Sequence, residues 1–411
     1  MGFFGTSIAG RVSRIALVAA LGFVVGACDD RQGQVSNYRA YQLIPAATLQ
    51  LMAEKGTDKH KPILIRAFKK EAELEIWKMR ADGEYVHFKT CPMCRWSGQL
   101  GPKRREGDRQ VPEGFYTITP AQLNPNSQYY LSFNVGYPNA YDKANGYTGS
   151  AIMVHGDCSS AGCFSMTDEQ IAEIYAITRE AFGGGQRAIQ MQSLPFRMTA
   201  ENLAKHRFDP HMRFWKQLKD GADQFEVTKR ETAVAVCGKR YVFGATPLNP
   251  DSRIDPAEAC PEMIEDPEVK TRVVEKQRHD ETRVASLVSQ GVKAVKVVYA
   301  DGGQHPAFDH VQITSRPEAL AVAPREIAIN EKGKPIPATV VASARTRPAT
   351  VTAANKPAGG PATAPPAQTA STKPAPAVAT GKVDTQTTVA RIPASQPAAA
   401  FAPVEIGRAH V

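Results

Sequence analysis

Between Glu73 and Lys78 apolar residues alternate with charged ones, Leu74 and Ile76 against Glu73, Glu75 and Lys78, which is the two-residue period of a half-exposed strand. Pro62 precedes a strand-like apolar run at 63–68, and Asp82-Gly83 carries the signal of a hairpin turn leading into Tyr85-Val-His-Phe88. Together these predict the start of an antiparallel meander, with His87 as an ordinary strand residue. Further strands are expected at 114–118, 131–135 and 187–191, and a last hairpin at 233–237 and 240–243.

Helical periodicity is clearest after Thr167-Asp168-Glu169-Gln170. This reads as a capping box opening a helix whose apolar face is Ile171, Ile174, Tyr175, Thr178 and Phe182. Shorter helices are expected at 45–55, closed by Gly56, at 199–206 behind a Thr199 cap, and around 214–218, stopped by Gly221. Residues 247–268 are rich in Pro, Asp and Glu and read as a boundary. A charged helix at 269–290 and a strand-like run at 292–300 follow, with no site chemistry evident in them. From about Pro335 the chain is dominated by Ala, Pro and Thr with almost no aromatics, so it cannot bury enough surface to order itself.

Of 411 residues 42% are apolar, enough for one or two packed domains with a sizeable core. The formal charge of +9 invites a nucleic-acid reading, but six of those nine charges lie from Pro324 onward. The rest is nearly balanced and has no aromatic-basic groove, so no nucleic-acid partner is expected. At the other end Arg11 and Arg14, the apolar run 15–25 and Gly26-Ala27-Cys28 form a basic region, a short hydrophobic region and a small-residue cleavage site. The run is too short to span a bilayer comfortably. Cysteine directly after the small residues looks like a lipobox, which would leave Cys28 as an acylated N-terminus on the membrane; the alternative is an ordinary secretory signal. Both predict export, and the first predicts a periplasmic lipoprotein.

The chemistry concentrates in Ile152-Met-Val-His155-Gly156-Asp157-Cys158-Ser-Ser160-Ala161-Gly162-Cys163-Phe164-Ser165-Met166. His155 should leave the end of a strand, and two glycines, Gly156 and Gly162, let backbone pass close to whatever binds there. A thiol shortly before a helix N-terminus and near an imidazole has two reasons to ionise, which makes Cys163 the candidate nucleophile and His155 its base. The other cysteines belong to a chain expected in an oxidising compartment. Cys91-Pro-Met-Cys94 with His155 and Cys158 can be drawn as a zinc set. His155 is already wanted as a base, however, and only one C-x-x-C pair exists, so a Cys94–Cys158 disulfide is preferred and no metal or cofactor is expected. Cys91, Cys237 and Cys260 remain unassigned. His206 and His211 lack acidic or thiol companions and are read as structural.

His155-Gly156 followed by Ser160-Ala161-Gly162-Cys163 resembles the active-site motif of the YkuD-type L,D-transpeptidases. The short histidine-to-cysteine spacing, the run from Trp96 to Lys103 and the run from Pro195 to Thr199 resemble the YafK-like branch more specifically, over roughly residues 41–243. The resemblance implies a mixed α+β fold, a mostly antiparallel β-sandwich or barrel-like catalytic domain with short helices. A small helical appendage and a disordered Ala/Pro-rich tail would follow it. The corresponding partition is 1–27 signal peptide, 28–60 linker and accessory helix, 61–245 catalytic domain, 246–323 linker and appendage, and 324–411 tail. It also implies a thioester on the cysteine, peptidoglycan stem peptides as substrate, and in this branch hydrolysis of the amide joining a diaminopimelate centre to a wall-attached outer-membrane lipoprotein. The alternatives are a cross-linking transpeptidase that uses an amine acceptor and a non-catalytic peptidoglycan-binding lipoprotein.

Two departures matter. The wider family's second histidine and its arginine are replaced by Ala161 and Ser165, so a cation for the substrate carboxylate must come from elsewhere. Residues 98–114 form a Gly/Pro-punctuated, charged loop of the kind that is often functional. On it Lys103 and Arg104, with Arg105 and Arg109, are candidates for that contact, and Arg197 competes with them. Backbone amides around Ala161 and Gly162 are the expected oxyanion donors.

Overall fold

The computed structural model describes residues 1–2, 38–309 and 314–337, so Cys28 with its leader and the Ala/Pro-rich tail lie outside the described residues. After helix α1 (Ala46–Glu54) come strands β1 (Ile63–Phe68), β2 (Glu73–Met79), β3 (Tyr85–Pro92), β4 (Gly114–Ile118), β5 (Leu123–Asn124) and β6 (Ser132–Asn134). Then follow α2 (Ala140–Ala144), β7 (Met153–His155), β8 (Phe164–Ser165), α3 (Asp168–Gly183), β9 (Ile189–Leu194), α4 (Ala200–His206) and α5 (Met212–Thr228). The remainder is β10 (Val234–Cys237), β11 (Arg240–Phe243), β12 (Ala245–Pro247), β13 (Met263–Glu265), α6 (Pro267–Ser289), β14 (Val295–Val298), α7 (Pro317–Leu320) and β15 (Arg325–Ala328).

The fold is mixed α and β, rich in antiparallel pairing. One sheet has the order β3-β2-β1-β9-β4 and a second β5-β6-β7-β8. The hairpins β1–β2 and β2–β3 are antiparallel, with Ile65 opposite Ile76 and Leu74 opposite Cys91. The meander does not continue, because β9 returns from far along the chain to pair with β1 in parallel, Ile65 opposite Met191. Every residue of β1 and β9 is buried, as fits strands covered on both faces. Helix α3 opens as its sequence requires: Thr167 accepts from the Gln170 amide at 3.2 Å, while the Gln170 side chain accepts from the Thr167 amide at 3.0 Å. Its face of Ile171, Ile174, Tyr175 and Thr178 is buried, and the helix lies against β6 and β7.

Helix α5 departs from expectation by running straight through Gly221. A Cβ there would sit 2.5 Å from the Phe115 ring and 2.6 Å from Phe243. The glycine therefore marks a close helix-to-sheet approach and not a stop. The loop between β3 and β4 is pinned by Lys69, which is wholly buried. Its Nζ donates to Gly101 O at 3.1 Å, Val111 O at 2.9 Å and Glu113 Oε1 at 3.0 Å, and the other Glu113 oxygen accepts from Trp215 Nε1 at 2.8 Å. Helix α6, capped by Asp266, docks on α4 and α5, where Lys219 and Lys276 interleave with Asp223 and Asp280.

Candidate active site

β7 and β8 run in parallel, Val154 opposite Phe164 and His155 opposite Ser165. Continuing that register by one residue sets Cys163 beside Met153. Cys163 precedes β8, and its sulfur takes the place of a backbone acceptor for the Met153 amide, two residues before His155 on β7. With strands about 4.8 Å apart and about 3.3 Å per residue, the Cα atoms of Cys163 and His155 are diagonal neighbours at about 8 Å, within reach of an imidazole.

His155 is 3% exposed. Its Nδ1 is 2.6 Å from the Gly156 carbonyl, a contact that makes Nδ1 the protonated nitrogen and leaves Nε2 its lone pair. The Tyr129 ring covers the imidazole at 4.6 Å, and the Tyr129 carbonyl accepts from the Gly156 amide at 3.0 Å. Sequence reasoning passed over this tyrosine, whose one signal is its place just ahead of a predicted strand. Cys163 is half-buried; its sulfur accepts from the Met153 amide at 3.4 Å and lies 4.0 Å from Ala151 O. Among the described residues no hydrogen bond joins this sulfur to the His155 ring. Such contacts are often loose until substrate closes the site.

The expectation of an ionised thiol is not met. Burial pushes the Cys163 pKa up, and the Met153 amide and the Lys103 charge offset this only in part. Burial likewise pushes the His155 pKa down, against the Gly156 carbonyl and the Asp157 charge. Both shifts favour the uncharged forms of thiol and imidazole. The first turn of α3 meets this loop at Asp157, whose amide donates to Asp168 at 2.9 Å. A Cβ on Gly156 would meet that same carboxylate at 2.4 Å, so packing alone already favours glycine there.

The segment carrying the nucleophile is strapped on several sides. Asp157 and Cys158 hold left-handed φ of 67° and 40°, an unfavourable backbone that persists only where its surroundings enforce it. Cys158 is joined to Cys94, with Cα atoms 5.3 Å apart. The zinc set drawn from the sequence is therefore ruled out by its own ligands. Ser160 Oγ donates to Cys163 O at 2.7 Å and meets Ser97 Oγ at 3.0 Å, while Ser160 O accepts from Arg109 Nη2 at 2.9 Å. Arg109 is held in turn by Asp301, Nη2 to Oδ2 2.7 Å. Asp301 also faces Arg95 at 3.2 Å and Arg316 at 3.6 Å and accepts from the Gly98 amide at 3.1 Å. Ser315 Oγ accepts from the Ser160 amide at 2.9 Å, and Thr314 Oγ1 donates to Cys158 O at 2.8 Å. The appendage, read from sequence as devoid of site chemistry, thus supplies Asp301, Thr314 and Ser315 to this loop. Lone polar residues so far along the chain give no local signal.

The remaining candidates separate. Lys103 is 3% exposed, its Nζ 2.6 Å from Asp108, and its charge reaches the Cys163 sulfur. Arg104 is exposed beside it, its guanidinium 6.0 Å from the Tyr147 ring centre. Arg197 pairs with Glu73 and, at 2.7 Å, with Glu75, and lies over the Phe68 ring at 4.3 Å. Its carboxylate partners are the protein's own. The Gly162 amide donates to Ser160 Oγ at 3.3 Å, so it would serve an oxyanion only by giving up that long bond; Ala161 is exposed. Cys237 and Cys260 form a second disulfide, and Cys91 stays free and buried. His206 stacks on Phe196 at 4.7 Å, and burial lowers its pKa to about 4.

A thiol just before β8 and an imidazole at the end of the neighbouring β7 are the parts of a site for acyl transfer. Residues 71–183 match the family YkuD, L,D-transpeptidase catalytic domain. The "Putative L,D-transpeptidase YafK" of Escherichia coli (strain K12) is 43% identical over 181 residues, covering 44% of this chain and 73% of that protein. The protein of the same name from Escherichia coli O157:H7 matches equally. The chain belongs to the YkuD L,D-transpeptidase family. Among solved structures, the helical cell shape determining protein Pgp2 of Campylobacter jejuni is 17% identical over 46% of this chain and 79% of that one, with a TM-score of 0.27. Bd1075 of Bdellovibrio bacteriovorus is 15% identical over 43% and 75%, with a TM-score of 0.22.

Proposed function

We propose that the chain is an exported cysteine acyl-enzyme that cuts an amide at the diaminopimelate centre of peptidoglycan stem peptides, in the periplasm, anchored through a lipidated Cys28. The observation that supports this reading is the Cys163 sulfur held by the Met153 amide at the start of β7, the strand that ends in His155. His155 Nε2 takes the thiol proton as the sulfur attacks the amide carbonyl. The C–N bond then breaks, the imidazolium returns the proton to the leaving amine, and a thioester remains on Cys163. Water, deprotonated by His155, releases the acid and restores the thiol. Because burial favours the uncharged form of both groups, proton transfer is drawn as accompanying attack. Amides at Gly162 and Cys163 would hold the oxyanion, each donor being worth about 2.7 to 4 kcal/mol in comparable sites. Lys103, whose charge reaches the sulfur, is the candidate for the role of the family's missing arginine, although it would have to leave Asp108 to meet a substrate carboxylate.

The leaving amine we assign is that of a lipoprotein linked to the stem. Intact mass after exposure to a stem-peptide thioester or amide should show one acyl adduct, mapped to Cys163 and absent from Cys163→Ala. Adding a free amine acceptor separates the outcomes: a hydrolase gives acid only, and a new amide would make it a transpeptidase. A Cys163→Ala protein that still turns substrate over would refute the acyl-enzyme.

A further inference from the structure

Beyond the reacting groups, the exposed side of the 98–114 loop opens into a groove of about 620 Å³ with Arg104, Arg213, Lys239, Arg240 and His211 on its walls and no Asp or Glu in its lining. None of the four Lys and Arg side chains is in an ion pair among the described residues, although the chain forms many such pairs elsewhere. Positive charges left so close together without partners repel one another, a cost that an anionic ligand would remove. One wall is Tyr141, 5% exposed, its ring fixed by stacking on Tyr241 at 4.4 Å and Phe214 at 5.5 Å. Its hydroxyl makes no hydrogen bond among the described residues; burial, with Tyr147 and the Asp142 charge, pushes its pKa up to about 12, and Arg104 and Arg213 oppose this only in part. The ring is held in place and its hydroxyl is open to the groove, a neutral donor beside four exposed cations.

The walls are also rigid. Asp108 accepts from the Arg104 amide at 3.0 Å. The turn at Gly238-Lys239 is tied by Lys239 N to Pro256 O at 2.8 Å, next to the Cys237–Cys260 disulfide. His211, bound to Asp209 at 3.1 Å, closes one end. The groove begins one residue from Lys103, the cation whose charge reaches the Cys163 sulfur. A strand of four residues spans about 13 Å, a length that a groove of this volume can hold.

We propose that this groove is a docking subsite for the carboxylates of the peptidoglycan peptide lying beyond the reacting bond, with Arg104, Arg213, Lys239 and Arg240 as its cations and Tyr141 as its neutral donor. The proposal rests on the reading of the substrate as a stem peptide. Its test therefore uses binding, in a Cys163→Ala background where no turnover occurs. Calorimetry with a soluble disaccharide-tetrapeptide should show tight binding that weakens with salt. The double variant Arg213→Glu/Lys239→Glu should lose about tenfold or more in affinity. Tyr141→Phe, which keeps the stacking, should lose about fivefold.

A tetrapeptide with its carboxylates amidated should bind the unaltered groove as weakly as the free acid binds the double variant. Near-UV circular dichroism and an unchanged rate of Cys163 alkylation, measured with the thiol restored, would show the double variant folded with its site intact. Equal affinities for the double variant and its parent would overturn the proposal. So would displacement of the peptide by inorganic phosphate or by vesicles of anionic lipid at equal charge concentration, which would make the ligand a phosphate and not a peptide. If the acyl-enzyme reading alone is wrong, Cys163→Ala will keep its turnover while the salt-dependent binding persists.

Discussion

Replacing Asp301 by asparagine keeps the side chain's shape and removes its charge. That carboxylate is 5% exposed and is the acid facing Arg95, Arg109 and Arg316, whose side chains are 0%, 29% and 52% exposed. The two more exposed arginines can hydrate when it is lost, but Arg95 cannot. Stranding one buried charge costs about 3 to 5 kcal/mol, and we take the lower end because the amide can still accept hydrogen bonds. In a folded region of this size about 3 kcal/mol lowers Tm by about 6 to 12 °C.

Burial alone would raise the Asp301 pKa, but the hydrogen bonds from Arg109 and the Gly98 amide and the charges of Arg109 and Arg95 outweigh it and hold the carboxyl below its usual value. A group depressed in this way stabilises the fold above its unfolded pKa of about 3.9 and loses that contribution as pH falls toward its folded value. The Tm gap between wild type and Asp301→Asn should therefore be full at pH 7 and close below about pH 4. Catalysis should fall as well, because Arg109 also holds Ser160 O at 2.9 Å, three residues from the nucleophile. Displacement of a reacting atom by about 1 Å can cost about 100-fold, so kcat should drop by about 10- to 100-fold with KM little changed. A variant with unaltered kcat, or a Tm gap as wide at pH 3 as at pH 7, would refute the reasoning.

Alkylation of Cys163 by iodoacetamide should rise with pH to a midpoint above the ordinary thiol value, since burial disfavours the thiolate; a plateau already reached at pH 6 would mean a resting thiolate–imidazolium pair. Cys94→Ser/Cys158→Ser opens a loop spanning 64 residues and should cost about 4 kcal/mol by loop entropy, read as a fall in the urea midpoint. Gly221→Ala forces a methyl against Phe115 and Phe243 and should destabilise by about 1 to 3 kcal/mol, whereas a mere helix terminator would give a more stable helix on the same change.

What could be read from the chain was whatever local pattern encodes. Alternation at 73–78, the Asp82-Gly83 turn and the Thr167 capping box located the first hairpins and helix α3 because each is settled within a few residues. The parallel return of β9 to β1 was hidden, since its partners lie 126 residues apart at Ile65 and Met191. Gly221 has the same spelling as a stop and differs only in the rings opposite it. Arg197 looked free until Glu73 and Glu75, two strand positions with an outward period, turned out to face it. His155 and Cys163 were visible because their spacing is short and chemical. The state of their protons was not, since it depends on burial that no motif records.

The buried Lys69 has a consequence for how the site can change. By gripping Gly101 and Val111 at the two roots of one loop, it turns the loop into a fixed wall that cannot swing over the thiol as a cover. Only its crest, from Arg104 to Gly107, stands in solvent. An inserted tag or fluorophore at Glu106 should be tolerated without disturbing the anchored base, which makes that crest the natural place to attach a reporter of substrate arrival.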